Sequence, residues 1–239
     1  MTVIHLQGVS KHYGRVPALC DVNLRFEHGL SVVVGPSGSG KTTLSEIIAG
    51  WRPCDDGRVL FPEANGSGPP RIGLAPQELA VYPTLTVGEN LQIFAELNRH
   101  PGLDPERQIA ATAVLLGLRD LLGRPVGSLS TGQQRCVQTA LALVANPPVL
   151  LLDEPTVGVD ADERRHLLGV VRTLADEGRT VIHTTQDLTE VELLAPGQVV
   201  VLDHGVVRFA GPLAELPGRD LRSTYLQLVD RGRENVLAP

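Results

Sequence analysis

An apolar run, Leu30-Ser31-Val32-Val33-Val34, breaks into Gly35-Pro36-Ser37-Gly38-Ser39-Gly40-Lys41-Thr42. No other stretch of the chain restricts its fold as much. Branched residues in a short unbroken run predict a strand buried on both faces. The glycines let backbone N–H groups turn inward, and the helical pattern from Thr42 to Trp51 sets a helix N-terminus behind them. The spacing G-x-x-x-x-G-K-[ST] is that of a loop wrapped around a phosphate. Only Lys11 and Lys41 of the 21 basic residues are lysines, so the position of Lys41 carries information. In such a loop Lys41 reaches the β- and γ-phosphates as a mobile point charge. The Thr42 hydroxyl is suited to Mg²⁺, and Thr43 continues the binding turn.

Further strands and helices alternate around this unit. Ile4–Val9, Asp21–Phe26, Arg71–Ala75, Val149–Asp153 and Thr180–Thr184 read as strands. Asp55-Asp56-Gly57 reads as a turn and 65–70 as a loop. Strand signals stop between Thr86 and Ala145. There Val87, Leu91, Phe94 and Leu97, then Ile109, Ala113 and Leu116, follow helical spacing. Asp162–Asp176 is a predicted helix, 199–202 and 206–210 a predicted hairpin, and Leu213–Val229 a C-terminal helix. The expected fold is therefore α/β: a P-loop core with an N-terminal antiparallel β region and an inserted helical subdomain. The division is 1–85 with 146–211 for the core, 86–145 for the helical part and 212–239 for the C-terminal helix and tail. Trp51 is expected in the core or between lobes.

Composition limits the function classes. The formal net charge is −6, which argues against a dominant nucleic-acid role. Cys20, Cys54 and Cys136 are widely spaced and read as buried or incidental thiols. No run is long enough to span a membrane, and Met1–Gly8 lacks a signal-peptide pattern, so a cytoplasmic chain is expected. His183 reads as a packed strand histidine, and no zinc or iron site is expected.

At Asp153 the second buried strand ends in an acid, followed by Glu154. An aspartate there is placed to hold Mg²⁺, and the next acid to polarise a water for in-line attack on a γ-phosphate. With Leu129-Ser130-Thr131-Gly132-Gln133-Gln134-Arg135 before a helix, the chain resembles the nucleotide-binding subunit of an ATP-binding cassette (ABC) transporter from Ile4 to about Gly211. The heptapeptide resembles the family's LSGGQ signature, with Thr131 in place of a glycine. The resemblance implies that Ser130, Thr131, Gly132 and Gln133 bind the γ-phosphate of a second subunit's ATP, two chains closing head-to-tail over two nucleotides. It implies that Gln77 contacts Mg²⁺ and water, that Asp160 crosses the dimer interface, and that Tyr13 stacks on adenine. The family's switch histidine is replaced by Gln186 in Thr184-Thr185-Gln186-Asp187. That amide can donate to a γ-phosphate but cannot become cationic, so slowed hydrolysis is expected.

What the resemblance implies is ATP hydrolysis with Mg²⁺, driving transport through a separate transmembrane permease subunit. The ATPase subunit would be peripheral at the inner face of the cell membrane and paired with a second one, identical or not. The stretch Tyr82–Leu91, with DEPTVGVD, favours the exporter branch. An importer subunit, a weakly hydrolysing dimer switch and a soluble non-transport ABC ATPase are the alternatives. The transported molecule is not encoded here.

Overall fold

A computed structural model of the chain describes residues 3–62, 68–216 and 221–236. Residues 65–67 of the expected loop at 65–70 and the tail at 237–239 lie outside the described residues. The chain opens with a hairpin, β1 (Ile4–Tyr13) and β2 (Val16–Phe26), followed by β3 (Gly29–Val34), α1 (Lys41–Ile48), β4 (Asp56–Leu60) and β5 (Ile72–Ala75). Three helices come next: α2 (Val87–Leu97), α3 (Pro105–Leu115) and α4 (Thr131–Leu143). After them run β6 (Val149–Asp153), α5 (Ala161–Asp176), β7 (Thr180–Thr185), α6 (Leu188–Leu194), β8 (Gln198–Asp203), β9 (Val206–Gly211) and α7 (Leu221–Val236).

One sheet has the order β5-β6-β7-β3-β8-β9, parallel except for β9. A smaller antiparallel sheet is ordered β2-β1-β4. The apolar runs of β3, β6 and β8 are continuous because helices cover one face of the sheet and the small sheet with α1 covers the other. Their side chains alternate accordingly. Val32, Val34, Leu150, Leu152, Val199 and Val201 join one core, which includes α2, α4 and α5. Val33, Leu151, Val200 and Leu202 join the other, with Phe26, Leu44 and Ile48.

This order positions the site. Strand β7 lies between β3 and β6, with Val34 opposite Thr185 and Thr184 opposite Asp153. The residues after β7 therefore emerge between the phosphate-loop pattern and the acid pair. Ligand sites in parallel sheets form at such carboxyl ends.

Some expectations need correction. The Asp55-Asp56-Gly57 turn signal leads directly into β4, an edge strand on β1. Helix α6 went unread because it has seven residues. Its start is nonetheless marked by Asp187, whose carboxylate accepts from Thr189 N at 2.9 Å. The C-terminal helix begins at Leu221 rather than Leu213, where only a single 3₁₀ turn forms. Trp51 is 62% exposed and Leu97 75% exposed, so neither belongs to the core.

Candidate nucleotide site

Helix α1 differs from its neighbours at its N-terminus. Helices α2 to α6 each carry a side-chain N-cap, from Thr86, Asp104, Ser130, Asp160 and Asp187. Helix α1 has Gly40 there, with no side-chain cap and no acid in its first turn. Its first N–H groups are left for an external anion. Gly40 is required: its φ is +106°, and a β-carbon would stand 2.4 Å from Ala18 O. Lys41 is 4% exposed. Its ammonium donates to Gly35 O at 2.8 Å and Pro36 O at 3.0 Å, and lies 3.1 Å from Glu154 Oε1.

The acid pair is held by β7. Thr184 Oγ1 donates to Asp153 Oδ1 at 2.6 Å and accepts from Glu154 N at 3.0 Å. Glu154 adopts φ +48°, a left-handed conformation costing a non-glycine residue about 1 kcal/mol. Gln186 Nε2 donates to both of its carboxylate oxygens, at 2.9 and 2.8 Å. Burial pushes the Asp153 carboxyl above its ordinary range. The hydrogen bond from Thr184, the nearby Thr42 hydroxyl and the Lys41 charge pull it back only in part, while Glu154 pushes the same way as burial. Asp153 Oδ2 is buried with no hydrogen-bond partner among the described residues. The Thr42 hydroxyl donates to Gln77 Oε1 at 3.3 Å. These oxygen donors, one of them a buried carboxylate oxygen with no partner among the described residues, fit Mg²⁺.

One cleft of about 280 Å³ is lined by Tyr13, 16–18, 37–43, Gln77, Glu154 and Gln186. It joins the predicted aromatic to the phosphate loop because Tyr13 closes the β1–β2 hairpin, paired with Val16. Its hydroxyl is 3.5 Å from Thr43 Oγ1. The Arg52 guanidinium lies 5.2 Å from the ring centroid and is anchored by Glu46. Sequence reasoning missed Val16, Pro17 and Ala18, although the short apolar run that follows Gly14-Arg15 after Tyr13 was a readable signal. It also missed Arg52 and Thr184, which only tertiary contact brings in.

The signature residues sit elsewhere, at the N-terminus of α4. Ser130 Oγ accepts from Gln133 N at 3.1 Å, and Gln133 Oε1 accepts from Ser130 N at 3.2 Å, a reciprocal cap. Gln133 thus turns back on its own helix. Asp160 caps α5 through Asp162 N and Glu163 N, at 3.0 and 2.9 Å. The Glu163 N–H holds the Asp160 carboxyl below its ordinary range, with a smaller contribution from Asp162 N–H. His183 is buried as expected, but with a partner: its Nε2 is 2.9 Å from Glu190 Oε2. Burial, assisted by the charge of Glu163, pushes the Cys136 thiol up to about 11, in keeping with an inert side chain.

A phosphate loop on a doubly covered parallel sheet, with an acid pair at the end of the next strand but one, defines a P-loop nucleotide-hydrolysing protein. A family profile described as "ABC transporter" matches residues 19–157, and the chain belongs to that family. It is 30% identical over 236 residues to the linearmycin resistance ATP-binding protein LnrL of Bacillus subtilis (strain 168), spanning 96% of this chain and 76% of LnrL. It is 36% identical over 222 residues to the maltose/maltodextrin import ATP-binding protein MalK of Escherichia coli (strain K12), spanning 90% of this chain and 60% of MalK. The dimeric structure of MJ0796, a bacterial ABC transporter cassette, is 26% identical with a TM-score of 0.78, over 88% of this chain and 98% of that one. The same cassette in a dimeric post-hydrolysis state bound to ADP and Pi matches with a TM-score of 0.75. The chain is thus the ATP-binding, ATP-hydrolysing cassette of an ABC transporter. No helix among the described residues is long and apolar enough to cross a membrane.

Proposed function

We propose that two such cassettes close over two Mg²⁺-bound ATP molecules and drive export through a separate membrane-spanning partner, from the inner face of the cell membrane. The observation that carries this reading is the single cleft uniting Tyr13, Lys41, Thr42, Gln77, Glu154 and Gln186. Tyr13 stacks on adenine. Residues Gly35 to Thr43 wrap the phosphates, and Lys41 exchanges the Glu154 carboxylate for phosphate oxygens. Thr42, Asp153 and Gln77 would hold Mg²⁺, which would offset charge on the phosphates. Glu154 takes a proton from a water attacking the γ-phosphorus in line as the bond to the β-phosphate oxygen breaks. Gln186, released from Glu154, donates its amide to the γ-phosphate. The partner cassette's Ser130 to Gln133 segment completes the site, and Asp160 lies at the interface. In this reading 1–85 with 146–211 form the nucleotide-binding core, 86–145 carry the signature, and 212–239 are the C-terminal helix and tail.

A groove of about 410 Å³ between the two lobes supports the membrane partner. It is lined by exposed Trp51, with Leu74, Phe94 and Leu141, and bordered by Arg71 and Arg99. An apolar floor with a cationic rim suits a short amphipathic helix from that partner. Similarity to a resistance ATP-binding protein across most of its length supports export. Similarity to MalK favours import as the second reading.

Copurification with a membrane protein, followed by transport into inside-out vesicles, tests both. Uptake driven by external ATP is export in the cell, and efflux from the vesicles would reverse the assignment. Lys41→Ala should reduce ATP turnover by at least about 10²-fold. Near-normal turnover would remove the phosphate loop from the mechanism.

A further inference from the structure

The signature serine is already engaged by an acid of its own chain. Ser130 Oγ donates to Glu163 Oε1 at 2.9 Å. The other carboxylate oxygen lies against Gly132, where a β-carbon would stand 1.8 Å from Oε2. Glu163 belongs to the first turn of α5, and its backbone N–H is held by Asp160 at 2.9 Å. A carboxylate from the helix after the Asp160 loop therefore rests on the N-terminal cap of α4. Its charge also acts on Cys136 further along that helix.

The proposed sandwich gives the same cap to the γ-phosphate of the partner's nucleotide. Carboxylate and phosphate are both anions drawn to one hydroxyl and one helix end. They cannot hold it together, because each repels the other. We infer that Glu163 is a gating residue of the composite nucleotide site: it occupies the Ser130–Gly132 cap in the open chain and swings out before the partner's γ-phosphate enters. This rests on the sandwich reading. Glu163 is half-buried at the start of its helix, so its side chain can rotate into solvent without unwinding α5. A purely structural role makes the opposite prediction. If Glu163 only orders Ser130, removing its charge weakens closure; if it competes with phosphate, removal strengthens closure.

The experiment uses the full chain carrying Glu154→Gln, which slows turnover so that ATP-bound dimers accumulate. Light scattering gives the Mg-ATP concentration for half-maximal dimerisation, with and without Glu163→Gln. Glutamine keeps the size and can still accept from Ser130, but has no charge. The half-saturating concentration is expected to fall roughly three- to tenfold. Glu163→Ala should shift it in the same direction. A folded Glu163→Gln protein that dimerises at the parent's concentration or a higher one overturns the gate and leaves the sandwich standing. A Glu154→Gln parent that never dimerises with Mg-ATP overturns the sandwich, and the gate with it.

Discussion

Asp153 has a buried carboxyl that the protein alone does not fully satisfy. It is 1% exposed, and Oδ2 has no partner among the described residues. Its folded pKa is raised, so its contribution to stability is largest below the ordinary carboxylate pKa and lost as pH rises through the folded value. At neutral pH it opposes folding. Asp153→Asn should therefore stabilise the nucleotide-free protein at pH 7 by about 1–2 kcal/mol in urea unfolding. The same variant should lose most of the stabilisation that Mg-ATP gives the parent. A less stable variant would mean that the Thr184 contact outweighs the burial of charge. Gln186 yields a different test. An amide does not titrate, so this position adds no pH dependence to hydrolysis. Gln186→His should raise turnover and introduce a dependence centred near about pH 6.5. Steady-state rates across that range check it. An unchanged or lower turnover would show that Gln186 does not limit the chemistry.

Helix α4 does more than display Ser130. Arg135 donates to Gln77 O at 2.7 Å, and Gln138 donates to Pro76 O and Glu78 O at 2.7 and 2.6 Å. Arg135 also donates to Gln138 Oε1 at 2.9 Å, so the two act together. Three consecutive carbonyls before α2 are thereby gripped by the signature helix, while the Gln77 side chain meets Thr42. Gln138 is 3% exposed, and Gln138→Leu leaves the part-buried carbonyls of Pro76 and Glu78 without this donor, at a cost of about 0.5–1.5 kcal/mol. Its catalytic consequence should be separable. ATP binding, read by fluorescent-analogue titration, should hold while kcat falls roughly tenfold as Gln77 loses its register. An intact kcat in a destabilised protein would reduce the grip to packing.

At the scale of the molecule, the two cores divide the work. One face of the main sheet packs α2, α4 and α5, which carry the signature cap and the lobe groove. The other packs α1 and the β1–β2 hairpin, which carry the phosphate loop and Tyr13. The 76–78 segment gripped by α4 is one connection between the helical face and the cleft that holds Gln77. The exposed Trp51 belongs to this arrangement. The sequence places Trp51 in the core or between lobes; α1 ends at Ile48, and the indole stands exposed at the lobe groove rather than in the core.

The phosphate loop, the acid pair, the signature and the alternation of buried strands were legible because each is local. Their chemistry depends on spacing within a few residues, and burial on both sheet faces leaves unbroken apolar runs. What no local pattern could reveal was adjacency. Sheet order inserts β7 between β3 and β6, which brings Gln186 onto Glu154 and Thr184 onto Asp153. The packing of α5 on α4 lays Glu163 over Ser130, 33 residues earlier in the chain. Hydrogen bonds and charge act through space at about 3 Å, so such partners are fixed by the order in which strands and helices stack.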